Sequence, residues 1–161
     1  MLFAVLLGGE HPRARLELHD IVFLFADGLE PAYDQLRAAW FAAPAKVHID
    51  GWVELDGLDG YRIEPAEAAP QAGEPRLYCA QLGGYHAGQL GEAHPFHFVV
   101  APDAATAKRQ AKQAAGAALL SLHTDALIDV GRHLWNPATH LRLVRGEHRP
   151  PVVRSEYRTM N

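Results

Sequence analysis

The residues from Leu2 to Leu55 repeat from Leu77 to Val130 without a gap, at a constant offset of seventy-five positions. Leu7, Gly8, Gly9, His11, Glu17, His19, Phe23, His48 and Asp50 meet Leu82, Gly83, Gly84, His86, Glu92, His94, Phe98, His123 and Asp125 as identities. Phe3 with Tyr78, Arg37 with Lys112 and Glu54 with Asp129 are conservative replacements. A fixed period of this length is read as a duplicated structural unit. Each copy, at roughly sixty residues, is marginal as an independent fold, so two units sharing one core are expected.

The local patterns predict the same element order twice. Leu2 to Leu7 and Ile21 to Ala26 are short apolar runs of strand character, and the same form returns at Arg76 to Leu82 and Phe96 to Ala101. Asp27 is placed as the cap of a helix with Ala32, Leu36, Ala39, Trp40 and Ala43 on one face, ended by Pro44. Asp103 is placed as the cap of an alanine-rich helix from Ala104 to Leu122, with Ala107, Ala111, Ala114, Ala118 and Leu122 along one stripe. Val47 to Leu55, Tyr61 to Ile63, Ala126 to Val130 and His140 to Val144 read as further strands, with Asp59-Gly60 as hairpin-turn residues. The expectation is an α+β fold of two tandem ββαββ-like repeats, largely antiparallel, with one helix per repeat and a pseudo-twofold relation between them. Its divisions are a first unit over 1–63, a Pro/Ala/Glu-rich linker over 64–75, a second unit over 76–144, and an irregular tail over 145–161.

Composition excludes some functions. A formal charge of −4 does not suit a general phosphate-backbone binder, so no nucleic-acid partner is expected. The apolar start MLFAVLLGG resembles part of a secretion signal, but RLYCAQLGG has the same form in mid-chain, so both read as strands. No stretch approaches a membrane-spanning length, and no membrane partner is expected. Cys79 is the only cysteine and reads as a small core residue. With no disulfide within the chain, a reducing, cytoplasmic setting is expected.

The candidate chemistry lies in two pairs per unit. Glu17-x-His19 and Glu92-x-His94 precede the second strand of each unit; His48-x-Asp50 and His123-x-Asp125 follow each helix. Residues two apart on extended backbone share a face, so each carboxylate points with its imidazole. If the pairs converge, each unit holds two imidazoles and two carboxylates, a donor set for a divalent metal. His11 and His86 are additional candidates. A carboxylate beside an imidazole also serves simply to fix the ring, and spacing alone favours such a structural network over a metal or ligand site, and either over acid/base catalysis. Gly8-Gly9 and Gly83-Gly84 read as turns needing positive φ. Trp40 and Trp52, which meet Ala115 and Leu127, read as packing residues whose asymmetry shapes a cleft at the junction of the units.

The residues LGG followed by ELHD and then HIDGW, with LGGY followed by GEAHPF in the second unit, resemble a bacterial family known only as a domain of unknown function, similar in carrying one or two copies of such a unit. The resemblance covers Leu2 to Ile63 and Leu77 to Val130. It implies a small soluble bacterial protein and no particular activity. The second unit departs from the pattern where Ala93 and Pro95 replace Leu18 and Asp20 and where Leu127 replaces Trp52. The leading expectation is a non-catalytic module binding a small ligand or a protein partner, a homodimer being compatible with it. The alternative is a metal-dependent enzyme acting on a small polar substrate through the Glu/His/Asp clusters.

Overall fold

The computed structural model describes residues 1–42, 46–117 and 119–160. It is an α+β structure whose strand pairs within the sheets are antiparallel. Strands β1 (Leu2–Gly9), β2 (Leu18–Phe25) and β3 (Val47–Leu55) form the first sheet with β1 central, and β10 (Val152–Thr159) adds to the outer side of β3. A second sheet places β6 (Arg76–Tyr85) between β7 (Phe96–Ala101) and β8 (Leu120–Asp129). A small third sheet joins the β4 (Gly57–Leu58) and β5 (Tyr61–Ala66) hairpin to β9 (His140–Arg145). Helices α1 (Tyr33–Ala39) and α2 (Ala104–Ala115) follow β2 and β7.

Strand alternation sorts the apolar residues into layers. Phe3, Val5 and Leu7 of β1 pack with Leu36 of α1, while Leu2 and Ala4 point the other way and meet Leu77 and Cys79 of β6. Tyr78, Ala80 and Leu82, on the opposite face of β6, pack with Ala107 and Ala111 of α2. The layers therefore run helix, sheet, sheet, helix, and the core between the sheets contains residues of both halves of the sequence. Ile63 of β5 and Leu141 of β9 close that central core. The halves also exchange contacts: the Val100 N–H donates to Asp59 Oδ2 at 3.2 Å, and the Trp135 N–H donates to the Phe23 carbonyl at 2.8 Å.

Several expectations need correction. The segment over 145–161 contains a strand: β10 pairs with β3 from Val152 against Glu54 to Thr159 against His48, and the Arg149 guanidinium reaches Asp56 Oδ1 at 3.0 Å. Its polar, charged pattern is that of an edge strand with most side chains in water, which apolar periodicity does not detect. The first helix begins after a 3₁₀ turn at Glu30–Ala32 instead of at an Asp27 cap, and gives way at Trp40 to extended backbone. The second helix stops at Gly116, where φ is 61°, and Leu122 belongs to β8. Ala43, Pro44 and Ala118 lie outside the described residues. Asp103 does cap α2, accepting from the Thr106 N–H at 2.7 Å, and Asp59 and Gly60, at φ 53° and 81°, make the expected hairpin turn.

A candidate metal centre in each half

Gly8 and Gly83 are not turn residues. Both lie inside strands, outside the positive-φ region, and the reason for glycine is what lies above them. The register sets Gly8 opposite His19 on β2 and opposite His48 on β3, so histidine, glycine and histidine form one row across the sheet. Neighbours in such a row point to the same face. A Cβ on Gly8 would stand 2.5 Å from Asp50 Oδ2 and 2.7 Å from His48 Nε2. The flanking side chains use the space that a missing Cβ leaves. Gly83 repeats the arrangement opposite His123, with a built Cβ 2.5 Å from His123 Nε2 and 2.7 Å from Asp125 Oδ2.

Over each glycine the four sequence-predicted side chains meet. His19 Nε2 lies 3.4 Å from Glu17 Oε2 and 3.0 Å from Asp50 Oδ2, and His48 Nε2 lies 3.1 Å from both Glu17 Oε1 and Asp50 Oδ1. In the second half His94 Nε2 is 3.3 Å from Glu92 Oε2 and 3.5 Å from Asp125 Oδ2, while His123 Nε2 is 3.0 Å from Glu92 Oε1 and from Asp125 Oδ1. In each of the groups Glu17, His48, Asp50 and Glu92, His94, Asp125, the donor atoms fall within 4.8 Å of one another. His11 shares a depression with Glu17 but pairs with no carboxylate of the first cluster, its Nδ1 accepting from the Arg13 N–H at 3.2 Å. His86 is exposed and outside the second.

These separations fit His–carboxylate ion pairs and equally the donors of a shared cation. A ring nitrogen carries at most one proton, yet every Nε2 here faces two carboxylate oxygens. Asp50 Oδ2 and Glu92 Oε1 are buried and accept no hydrogen bond, although each has an Nε2 at 3.0 Å. At His123 the Nδ1 is 2.9 Å from the Ser121 carbonyl, so a neutral ring donates there and turns an Nε2 lone pair toward the carboxylates. That orientation by an outer partner is the usual arrangement of a metal-ligating histidine. The same carbonyl, with the charges of Glu92 and Asp125, pushes the His123 imidazole above its ordinary pKa. One donor from each of three residues per half comes within 4.8 Å of the others, with His19 and His123 outside those groups, and octahedral neighbours at about 2.1 Å from one ion stand about 3.0 Å apart. The eight observed N···O separations lie between 3.0 and 3.5 Å.

The two clusters differ in cover. Tyr157 of β10 stacks on His48 with ring centroids 4.5 Å apart, and the His48 side chain is 12% exposed whereas its counterpart His123 is 44% exposed. On the open side of β8 no strand plays the part of β10 among the described residues. Asp50 also lines a cleft of about 440 Å³ between the sheets, shared by Trp52, Phe96, Phe98 and Val153. A larger depression of about 740 Å³ lies between the segment from Pro65 to Gln71 and β9, and none of its lining residues belongs to either cluster. Sequence reasoning missed the glycine floors, Tyr157 and the course of the cleft. The conserved-in-both-halves Leu-Gly-Gly carried the signal for the floors, but Tyr157 has no counterpart in the repeat.

The structure is an α+β protein with two similar His/carboxylate clusters. Residues 14–64, which contain all four members of the first cluster, match the family model described as Domain of Unknown Function (DUF1543). Over its whole length the chain is similar to the crystal structure of protein Il1583 from Idiomarina loihiensis, with 31% identity, a TM-score of 0.74, and coverage of 99% of this chain and 97% of that one. The chain belongs to this family, whose function is not defined. No curated protein matches it in sequence, and no helix among the described residues is long and apolar enough to cross a membrane.

Proposed function

We propose that this protein is a non-catalytic, metal-dependent binding module made of two copies of one ββαββ-like unit related by a pseudo-twofold, each copy holding one divalent transition-metal ion. Glu17, His19, His48 and Asp50 are the ligands of the first ion; Glu92, His94, His123 and Asp125 are those of the second. The observation that carries the reading is the buried oxygen of Asp50, and likewise of Glu92, set 3.0 Å from an imidazole nitrogen without a hydrogen bond. A metal ion removes three costs together. It supplies the partner that those oxygens lack, neutralises two adjacent carboxylates, and accepts both Nε2 lone pairs.

Imidazole and carboxylate donors suit zinc, manganese, iron or nickel. Zinc is the convenient probe because it has no redox chemistry and tolerates four or five ligands. Equilibrium dialysis of the purified, chelator-stripped chain against zinc tests the assignment. Two ions per chain are expected, falling to one in either His48→Ala or His123→Ala and to none in the double variant. Unchanged zinc uptake in the double variant would reject these ligands.

A further inference from the structure

The cleft beside Asp50 adjoins the first cluster, and no member of the second cluster lines it. Asp50, Gly51, Trp52 and Val53 line it in succession, so it runs along β3 inward from the first cluster. Leu6, Ile21 and Val53 wall it from the first sheet, Phe96 and Phe98 from the second, and Val153 of β10 from the open side. Its volume of about 440 Å³ is within the range that holds small organic ligands, about 300–1,000 Å³. Its polar lining residues include Asp50, His97 and Ser155, whereas Arg154 pairs with Trp52 on β3 and so alternates toward the α1 side of the sheet. In the second half Gln81 stands at the position of Leu6, Ala126 at that of Gly51, and among the described residues no strand corresponds to β10.

We infer that this cleft binds an amphipathic carboxylate, with its head group at the first metal ion and its hydrocarbon body between the two sheets. The inference rests on the metal assignment made above. The chemistry divides along the cleft. The two carboxylates of the cluster balance one divalent ion, and an ion that accepts a fifth or sixth ligand keeps a place for an anionic oxygen. Glu17 and His19, with side chains 42% and 47% exposed, leave the ion reachable from solvent. Beyond Asp50 the walls are mainly apolar, with the polar His97 and Ser155 among them, so they favour a ligand that removes methylene groups from water. An inorganic anion or a short polar acid would use the head position and leave the apolar walls in contact with water.

Isothermal titration of the zinc-loaded full chain with acetate, hexanoate and phenylpropionate tests this, with zinc stoichiometry measured on the same samples. Each buried methylene strengthens binding by about fourfold, so even partial burial makes hexanoate at least tenfold tighter than acetate. In Val153→Trp, a substitution at a position 68% exposed that fills the cleft from its open side, hexanoate falls to the acetate level. In chelator-stripped protein the hexanoate signal is lost. Equal affinities for acetate and hexanoate with two zinc ions bound would overturn the cleft assignment while leaving the metal sites standing. Undiminished hexanoate binding without zinc would overturn the link between cleft and ion, and undiminished binding in Val153→Trp would place the ligand elsewhere. Should zinc itself fail to bind, the cleft inference falls with the metal reading, and the zinc stoichiometry identifies that as the cause.

Discussion

The glycine floor gives the sharpest prediction, because replacing Gly8 by alanine separates metal binding from folding. Gly8 lies outside the positive-φ region in β1, so alanine meets no backbone strain there, and the strand gains the roughly 0.5–1 kcal/mol by which glycine disfavours regular structure. The added Cβ starts 2.5 Å from Asp50 Oδ2, and real Cβ contacts are essentially never below 3.0 Å. The oxygen must therefore retreat by at least about 0.5 Å, more than twice the tolerance of about 0.2 Å on metal–ligand distances. His48 Nε2, at 2.7 Å, must move as well. Without metal, that retreat is taken up at the far end of the flexible Asp50 side chain and costs little. With metal, it spoils two of four ligands, and zinc affinity at the first site should fall by about tenfold to a hundredfold, the range found when ligand positioning is disturbed. Calorimetric zinc titration of Gly8→Ala, beside thermal melts of the metal-free chain, should show one of two sites weakened and a melting temperature that is unchanged or slightly raised. Wild-type zinc affinity would refute the reasoning. So would a clear loss of metal-free stability, since that is the mark of a structural hydrogen-bond network over Gly8.

Further expectations concern cover, core and tail. Because Tyr157 shields His48, zinc should fill the first site before the second, and Tyr157→Ala should bring the two steps of the titration together. Burial pushes the Cys79 thiol up to about 12, so a thiol reagent at pH 8 should label the folded chain only at its unfolding rate, against immediate labelling in denaturant. Leu36 is the one fully buried side chain of the seven-residue α1, and Leu36→Ala should cost about 2–5 kcal/mol by urea unfolding. Arg149 holds the Asp56 carboxyl below the ordinary range through its hydrogen bonds. A lowered carboxyl stabilises the fold above its unfolded value and ceases to do so as pH falls through the folded one. Hydrogen exchange of β10 amides should therefore show that anchor intact at neutral pH, loosened in acid, and loosened already at neutral pH in Asp56→Asn.

The internal repeat made much of this legible. Phe96 to Ala101 is β7 as expected, and Asp59-Gly60 is the hairpin turn, because short apolar runs and turn residues carry their structure locally. The site's membership was legible for the same reason: Glu17 and His19 share a face by strand alternation, and so do His48 and Asp50. Their convergence was not, since it depends on the register that sets His19 and His48 on either side of Gly8, and register is a property of paired strands. A local reading took Gly8-Gly9 for a turn because a glycine required by its neighbours' side chains looks the same in sequence as one required by φ. The strand nature of β10 was hidden because only its backbone is used by the fold. Its side chains are nearly all in water, apart from Tyr157 on His48 and Arg158 over the Trp52 ring, 4.8 Å from its centroid.

The central claim is that each half of the molecule holds one metal ion between two imidazoles and two carboxylates. X-ray absorption at the zinc edge, on protein loaded with zinc and then desalted, tests it most directly. Two zinc ions per chain are expected, with a first shell of nitrogen and oxygen at about 2.0–2.1 Å and the outer-shell signal of imidazole rings. No retained zinc, or a first shell of water oxygens without imidazole, would contradict it.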